Sequence, residues 1–372
     1  MGSEMCIRDR MKSLGIWLKG ARIYTLPIGL VPVVMAFAVA LRMIRFSCFG
    51  ESYVHSWQCA LQCFLCAVVA VCMQISVNYA NDYCDGLNGL DDNRSLRAVS
   101  GSNNSKPLCD VSWRLANAGI KPKAVLKAVI ISAIIACIFG FIIVVRTGIW
   151  WFILLGIACV AAAWFYAGGK HPYGYKGWGE ISAFVFFGPV PFIGTLCAVT
   201  YGIGVQANSI FINNPLRILT CVLMSCIPGA YSACLMMVNN LRDIASDEKH
   251  GKITAMVRLG EYNGRRLCAT MSTIAMLLLL AYSALIIVLP SAVPSIWRFG
   301  SEEVFFSFGM FICNARWHLF VAVFQWIILV ALVIKAYKFI KCVLRGDYKN
   351  AFPLCVAQAM FAATAVLLSA II

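Results

Sequence analysis

Residues 57–85 of the chain read WQCALQCFLCAVVAVCMQISVNYANDYCD. No charged side chain occurs from Trp57 to Asn81, and this largely apolar run exceeds the roughly 20 residues that a helix needs to cross the hydrocarbon core of a bilayer. The run then ends in two carboxylates, Asp82 and Asp85, which are costly to place in lipid. The pattern therefore predicts a membrane-spanning helix whose last turns carry acidic side chains at one face of the membrane.

The composition of the whole chain agrees with a membrane protein. Of its 372 residues, 61% are hydrophobic and 13% are charged. An average soluble domain is about half apolar and about a quarter charged, and a soluble fold of this size could not cover so much apolar surface. The composition excludes a disordered chain, a disulfide-stapled secreted module and nucleic-acid binding as the primary role.

The remaining apolar runs extend this prediction to a polytopic helical protein. Regular ten-residue alternation of polar and apolar residues does not recur, so helices rather than a β-barrel must satisfy the backbone in lipid. Nine runs are long enough to span. They are residues 25–44, 57–79, 124–145, 149–167, 180–204, 216–238, 271–290, 318–340 and 353–372.

The basic residues predict the orientation of the spans. The chain has 31 Lys and Arg against 16 Asp and Glu, and the great majority of the basic residues fall in loops on the same side as the N-terminus. The positive-inside rule then places the N-terminus in the cytoplasm, with anionic lipid rather than nucleic acid facing the excess charge. Residues 1–20 are expected to be a cytoplasmic stub and residues 21–372 a single domain. Residues 1–10 look unrelated to the rest of the chain, and we interpret them as a non-native extension because Met11 would serve equally well as a start.

Two acidic clusters follow the second and the sixth predicted spans. Asp82 and Asp85 are three positions apart, and Asp243 and Asp247 are four positions apart. On a helix each pair shares one face, because residues at these spacings are neighbours on the helix surface. Both clusters fall on the predicted cytoplasmic side.

Polar side chains continue these acidic faces into the predicted membrane depth. Such residues are costly in lipid and point inward to a cavity, so the two helices are expected to face one cavity mouth. The polar residues on the two faces are Gln74, Asn78, Asn81 and Asn239.

The residue types around the mouth predict a site for a metal ion and a diphosphate. Oxygen ligands without His or Cys favour a hard ion, and Mg²⁺ is usually held by a few carboxylates together with phosphate oxygens. Arg22, Arg94 and Arg97 near the first cluster, with Lys249 and Lys252 after the second, supply positive charge for the phosphates. The simpler alternative is that these are ordinary charges marking the ends of membrane helices.

Four stretches of the sequence resemble a known family. They are residues 21–27 (ARIYTLP), 77–86 (VNYANDYCDG) with Asp91 and Asp92, 166–180 (YAGGKHPYGYKGWGE) and 238–260, which opens with VNNLRD. Together they resemble the UbiA-type intramembrane aromatic prenyltransferases, and within that family the branch that acts on 1,4-dihydroxy-2-naphthoate. The resemblance implies an all-α fold of nine transmembrane helices around a central cavity.

The resemblance also implies an activity, a cofactor and a set of site residues. A polyprenyl chain would pass from polyprenyl diphosphate to 1,4-dihydroxy-2-naphthoate with decarboxylation, giving demethylmenaquinol in menaquinone biosynthesis. The enzyme would lie in the bacterial plasma membrane with its active site facing the cytoplasm. The expected catalytic residues, which would hold Mg²⁺, are Asp82, Asp85, Asp243 and Asp247, with Asn81 and Asp91 as further metal ligands. The expected substrate-binding residues are Arg22, Asn78, Asn81, Arg94, Tyr166, Tyr173, Tyr175, Asn239, Arg242 and Lys252.

Departures from the family pattern leave alternatives open. Gly89 stands where the wider family often has a third Asp, and Lys170 and His171 occupy positions where this branch usually has other residues. The acceptor could therefore be 4-hydroxybenzoate, homogentisate or a porphyrin. From another class, a cation-coupled transporter could use the same acidic stripes, although such residues usually lie near the midplane of broken helices.

Overall fold

A computed structural model describes residues 15–47, 56–87, 120–202, 215–288 and 308–370. Within those ranges the regular structure is helical throughout, as predicted. The α-helices are α1 Leu26–Ser47, α2 Ser56–Leu87, α3 Pro122–Thr147, α4 Phe152–Ala167, α5 Gly179–Phe186, α6 Pro189–Tyr201, α7 Pro215–Lys249, α8 Ala255–Val288, α9 Phe308–Arg345 and α10 Tyr348–Ser369, with a 3₁₀ turn at Tyr173–Lys176.

The described helices make this an integral, multi-pass membrane protein. Eight helical segments are long and apolar enough to cross a membrane, with α5 and α6 together forming one of them. The predicted span 149–167 is the 16-residue helix α4, which rises only about 24 Å and is shorter than the roughly 30 Å hydrocarbon core. Nine spans and a cytoplasmic N-terminus therefore stay predictions.

The segment 180–204 is not the single continuous helix that its apolar run suggests. It breaks at Gly188, where an added Cβ would lie 2.5 Å from the Cα of Gly229 and 2.6 Å from the carbonyl oxygen of Phe184. Only glycine permits this close approach of two helix backbones. Pro189 then begins α6, where a missing backbone N–H costs nothing.

Two helices run past their predicted spans and carry the acidic clusters with them. Helix α2 reaches Leu87 and α7 reaches Lys249, so both Asp pairs lie on helices as expected. Helix α8 begins at Ala255, well before the predicted residue 271, and is interrupted at Gly260, whose φ of 73° is left-handed.

The largest cluster of buried apolar side chains lies mainly between α1 and the helices α6 to α10. Buried side chains of α1, α6, α7, α8, α9 and α10 form one cluster around Tyr231, Phe192 and Phe339. In the most apolar window of α7, 78% of the residues are buried, against 28% for α3. Helix α7 is therefore a central helix, while α3 presents most of its apolar side chains to the surroundings.

Candidate active site

Helices α2 and α7 line one large cavity of about 1570 Å³. The lining residues of each helix recur at intervals of three and four, so each helix presents one continuous face. From α2 they are Cys66, Val69, Ala70, Met73, Gln74, Val77, Asn78, Asn81 and Asp82, and from α7 Ser232, Leu235, Met236, Asn239, Asn240, Arg242 and Asp243. The α2 face is largely apolar from Cys66 to Val77 and ends in Asp82, whereas the α7 face is mostly polar and ends in Asp243.

The acidic end of α2 is held against the chain that precedes α1. The Asp82 carboxylate is buried, and its Oδ1 lies 2.8 Å from Nη2 of Arg22, sixty residues away in sequence. One and two turns earlier on the same face, Asn78 donates to the carbonyl of Ala21 at 2.9 Å and Gln74 donates to that of Thr25 at 2.8 Å. Asn78 also lines the cavity, and its expected contact with substrate stays a prediction.

The turn that presents Arg22 has an unusual backbone. Arg22 has a φ of 53°, the only positive value at a non-glycine residue in the described ranges. Thr25 caps the turn by donating from Oγ1 to the Arg22 carbonyl at 2.9 Å. Left-handed backbone at a large side chain is costly, so it persists only where the surrounding contacts enforce it. The Arg22–Asp82 ion pair and the α2 amides provide those contacts.

The acidic end of α7 is held by its neighbours in sequence. Asp243 accepts two hydrogen bonds from the guanidinium of Arg242, at 3.0 and 3.1 Å. Asp247 is buried, its Oδ2 lies 3.5 Å from Nζ of Lys252, and its carbonyl accepts from the Lys252 backbone N–H at 2.9 Å. Asp243 lines the cavity, whereas Asp247 is not among the lining residues.

The donor set at the cavity end fits a hard cation bound together with phosphate. Asp82 and Asp243 offer carboxylate oxygens, and Asn81 and Asn239 on the same faces offer amide oxygens. Oxygen donors of this kind suit Mg²⁺. Within the described ranges no three His, Cys, Asp or Glu side chains gather into one group, so phosphate oxygens or ligands from elsewhere would have to complete the coordination.

Two tyrosines form a wall of the cavity next to this end. The rings of Tyr166 and Tyr173 lie edge to face with their centroids 5.7 Å apart. The Tyr173 hydroxyl donates to the Ala162 carbonyl at 2.8 Å and lies 3.1 Å from Oγ of Ser182. Burial raises the pKa of Tyr173, although the hydrogen bond with Ser182 acts in the opposite direction. The ring is therefore neutral at physiological pH.

Tyr175 connects two loops rather than lining the cavity. Its carbonyl accepts from the backbone N–H of Ile253 at 3.0 Å, and Nζ of Lys252 lies 5.6 Å from its ring centroid. The loop between α4 and α5 is thereby joined to the loop between α7 and α8. The described contacts of Tyr175 lie beside Lys252, and substrate binding by Tyr175 stays a prediction.

The structure brings most of the predicted site residues to the cavity. Those that line it are Arg22, Asn78, Asn81, Asp82, Tyr166, Tyr173, Asn239, Arg242, Asp243 and Lys252. Asp85 lies on α2, but its side chain is outside the described part of the structure, as are Asp91 and Arg94 altogether.

A buried pair between α5 and α7 has no role predicted from the sequence. Glu180 is 4% exposed and Asn240 is 6% exposed, and Nδ2 of Asn240 donates to Oε1 of Glu180 at 2.8 Å. Ser182, which also lines the cavity, was missed as well. A carboxylate at the start of the apolar run 180–204 was the signal for Glu180, because a charge there requires a partner.

Known proteins share both the sequence pattern and the fold. Residues 34–307 match the UbiA prenyltransferase family. The chain is 36% identical over 259 residues to proteins named 1,4-dihydroxy-2-naphthoate octaprenyltransferase from Mycobacterium leprae and Mycobacterium tuberculosis, covering 69% of this chain and 74% of each relative. The apo structure of a UbiA homolog from Aeropyrum pernix K1 has the same fold, with a TM-score of 0.56 at 14% identity over 91% of this chain and 96% of that chain.

Proposed function

The chain belongs to the UbiA prenyltransferase family, and we propose that it transfers a polyprenyl chain from polyprenyl diphosphate to 1,4-dihydroxy-2-naphthoate. The acceptor would lose its carboxylate and become demethylmenaquinol in menaquinone biosynthesis. The observation that carries this proposal is the large, mostly apolar cavity whose lining combines oxygen donors of α2 and α7 with basic side chains. The names of the Mycobacterium relatives favour the naphthoate as acceptor.

The polar end of the cavity is the proposed diphosphate site. Asp82 and Asp243 would hold Mg²⁺ with help from Asn81 and Asn239, and Mg²⁺ when bound supplies positive charge against the leaving diphosphate. We extend the proposed metal ligands to Asp85, Asp247 and Asp91, and the phosphate contacts to Arg94.

Basic side chains already stand beside these carboxylates. Arg22 contacts Asp82, Arg242 contacts Asp243, and Lys252 lies close to Asp247. These pairs neutralise the acids, of which Asp82 and Asp247 are buried and Asp243 is partly exposed. With Mg²⁺ and diphosphate present, the cations would exchange their carboxylate contacts for phosphate oxygens, where charge-assisted hydrogen bonds are strong.

The apolar part of the cavity suits the prenyl chain and the reactive carbon. Phe141, Ile153 and Ile157 are apolar residues of α3 and α4 that line the cavity, and we propose that a lipid-borne chain enters past them. Departure of diphosphate leaves an allylic cation that must be kept from water until the ring attacks it. The faces of Tyr166 and Tyr173 would stabilise that cation.

We propose the same placement for the enzyme as the sequence predicts. Residues 21–372 would form a single prenyltransferase domain in the bacterial plasma membrane. The acidic ends of α2 and α7 would face the cytoplasm, where the water-soluble naphthoate is available.

Prenyl transfer in a reconstituted membrane tests the proposal. The protein in lipid nanodiscs would receive labelled polyprenyl diphosphate, Mg²⁺ and either 1,4-dihydroxy-2-naphthoate or 4-hydroxybenzoate. We expect a prenylated, decarboxylated naphthoquinol that disappears with EDTA and returns with added Mg²⁺. Product from 4-hydroxybenzoate alone would overturn the acceptor, and no product from either, or from homogentisate or a porphyrin, would overturn the activity.

A further inference from the structure

Glu180 and Asn240 form a buried polar contact between α5 and α7 that the proposed diphosphate site does not use. Glu180 Oε1 accepts from Asn240 Nδ2 at 2.8 Å, and both side chains are more than nine-tenths buried. The second carboxylate oxygen, Oε2, is buried without a hydrogen-bond partner among the described residues. A buried polar contact that leaves one oxygen unsatisfied is costly, so a functional reason for keeping it is expected.

The chemistry of the two groups fixes which end of the amide faces the cavity. A carboxylate oxygen accepts hydrogen bonds, whereas an amide has a donor end and an acceptor end. Glu180 therefore holds the NH₂ end of Asn240. Asn240 lines the cavity, and its carbonyl oxygen is the end left to accept a hydrogen bond from a ligand there.

The position of Asn240 lies between two parts of the proposed site. One turn earlier on the same face of α7 is Met236, whose sulfur accepts a hydrogen bond from the Tyr166 hydroxyl at 3.4 Å. Three residues later on that face is Asp243, at the acidic end. On α5, Ser182 lines the cavity two residues after Glu180. Asn240 is thus placed between the diphosphate end and the tyrosine wall, where the acceptor ring must meet the prenyl carbon.

We propose that Glu180 is a positioning residue for the aromatic acceptor. It orients Asn240 so that the amide oxygen accepts a hydrogen bond from a phenolic hydroxyl of the ring. The inference rests on the proposed function, since it requires a hydroxylated aromatic acceptor. It goes further by assigning the recognition of a hydroxyl group, rather than of the carboxylate or the diphosphate, to the contact between α5 and α7.

Two substitutions separate this role from a structural one. Glu180→Gln keeps the size of the side chain but adds an NH₂ group, so the Asn240 amide can be held either way round. Asn240→Ala removes the oxygen itself. For both variants we expect the KM for the naphthoate to rise about tenfold, as for the loss of one hydrogen bond to a polar ligand, with the KM for polyprenyl diphosphate unchanged. The double variant should be no worse than Asn240→Ala, because both changes act on one contact.

A second buried pair in the chain provides a matched control. Ser272 Oγ donates to Gln358 Oε1 at 2.8 Å between α8 and α10, both residues are fully buried, and neither lines the cavity. Ser272→Ala should lower the melting temperature in detergent yet leave both KM values as in the wild type.

The binding of acceptors that carry a single hydroxyl shows which hydroxyl the site recognises. Isothermal titration of 1-hydroxy-2-naphthoate and 4-hydroxy-2-naphthoate against the wild type should show weaker binding of the compound that lacks the recognised hydroxyl. In Glu180→Gln that difference should shrink. Where Glu180→Gln does not fold, Asn240→Ala gives the same comparison.

The outcomes distinguish this inference from the proposed function. If the wild type prenylates no hydroxylated aromatic acceptor, the proposed function fails before any variant is compared. If the wild type is active but the variants change stability alone, or raise both KM values equally, only the positioning role of Glu180 is overturned.

Discussion

The acidic ends of α2 and α7 resemble each other in sequence but are supported in different ways. Asp82 is held by Arg22 from sixty residues away, and the α2 face below it is fastened to backbone carbonyls of the turn before α1. Asp243 and Asp247 are held by Arg242 and Lys252, which are close neighbours in the chain.

The difference indicates a division of labour within one site. The α2 end is built from tertiary contacts, so its geometry depends on the segment before α1 being folded onto it. The α7 end is built from local contacts and is joined to the rest of the site through the contact of Ile253 with Tyr175. A change at Arg22 or Asp82 should therefore affect both stability and activity, while a change at the partly exposed Arg242–Asp243 pair should affect mainly activity.

The largest effect is expected when the carboxylate is removed from the acidic end of either α2 or α7. Asp82→Asn and Asp243→Asn should each reduce kcat for prenyl transfer by about a thousandfold or more, because each removes a carboxylate that would hold the Mg²⁺ acting on the leaving diphosphate. Labelled-prenyl transfer in nanodiscs measures this. Glu248→Gln is the control, because Glu248 is exposed beside Asp247 and does not line the cavity; an equally large loss there would argue against a specific role for the two acids.

The next largest effect is expected from replacing Arg22 or Arg242, and the two variants should differ in stability. Arg22→Ala removes the guanidinium that pairs with the buried Asp82. The variant should therefore have a melting temperature lower by several degrees and a kcat/KM reduced about a hundredfold. Arg242→Ala should reduce kcat/KM with little change in melting temperature, because that pair is partly exposed. Equal melting temperatures for the two variants would remove the contrast between the two ends.

A smaller effect is expected from the support of the α2 end. Asn78→Leu removes the donor to the Ala21 carbonyl and should destabilise the protein by about 1–3 kcal/mol, the usual cost of leaving a buried acceptor unsatisfied. A thermal-shift assay in detergent, alongside Ser272→Ala as a variant remote from the cavity, measures the loss. If Asn78→Leu is as stable as the wild type, the turn before α1 is not held by α2.

The smallest effect concerns the loop contact of the α7 end. Tyr175→Leu removes the ring beside Lys252 but keeps the backbone hydrogen bond to Ile253, and Tyr175 is not among the cavity-lining residues. A cation–π contact at a partly exposed site contributes about 0.5–1 kcal/mol, so the KM for polyprenyl diphosphate should change less than about fivefold. A loss comparable to that of Asp243→Asn would mean that Tyr175 contacts the substrate directly.

Much of the fold could be predicted because lipid imposes simple rules on sequence. Apolar runs and their lengths gave the helical membrane class, and the spacing of the Asp pairs placed each pair on one helix face. The break at Gly188 was not predictable, since it depends on Gly229 of another helix. The shortness of α4 was missed because an apolar run does not show where a helix begins.

The site was predictable where partners are close in sequence and less so where they are distant. Lys252 could be placed near Asp247 from their spacing alone. Arg22 was expected to bind phosphate, but nothing local indicates that it pairs with Asp82, or that Asn78 is used on the Ala21 carbonyl. The Glu180–Asn240 contact likewise joins two helices that only the folded chain brings together.

The most direct test of a shared diphosphate site is the binding of inorganic pyrophosphate with and without Mg²⁺. Isothermal titration would compare the wild type with Asp82→Asn and Asp243→Asn in nanodiscs. If both helix ends hold one metal–diphosphate group, the wild type binds pyrophosphate only with Mg²⁺, and either substitution alone weakens binding at least about tenfold. Unchanged, Mg²⁺-dependent binding in either variant would contradict a site shared between α2 and α7.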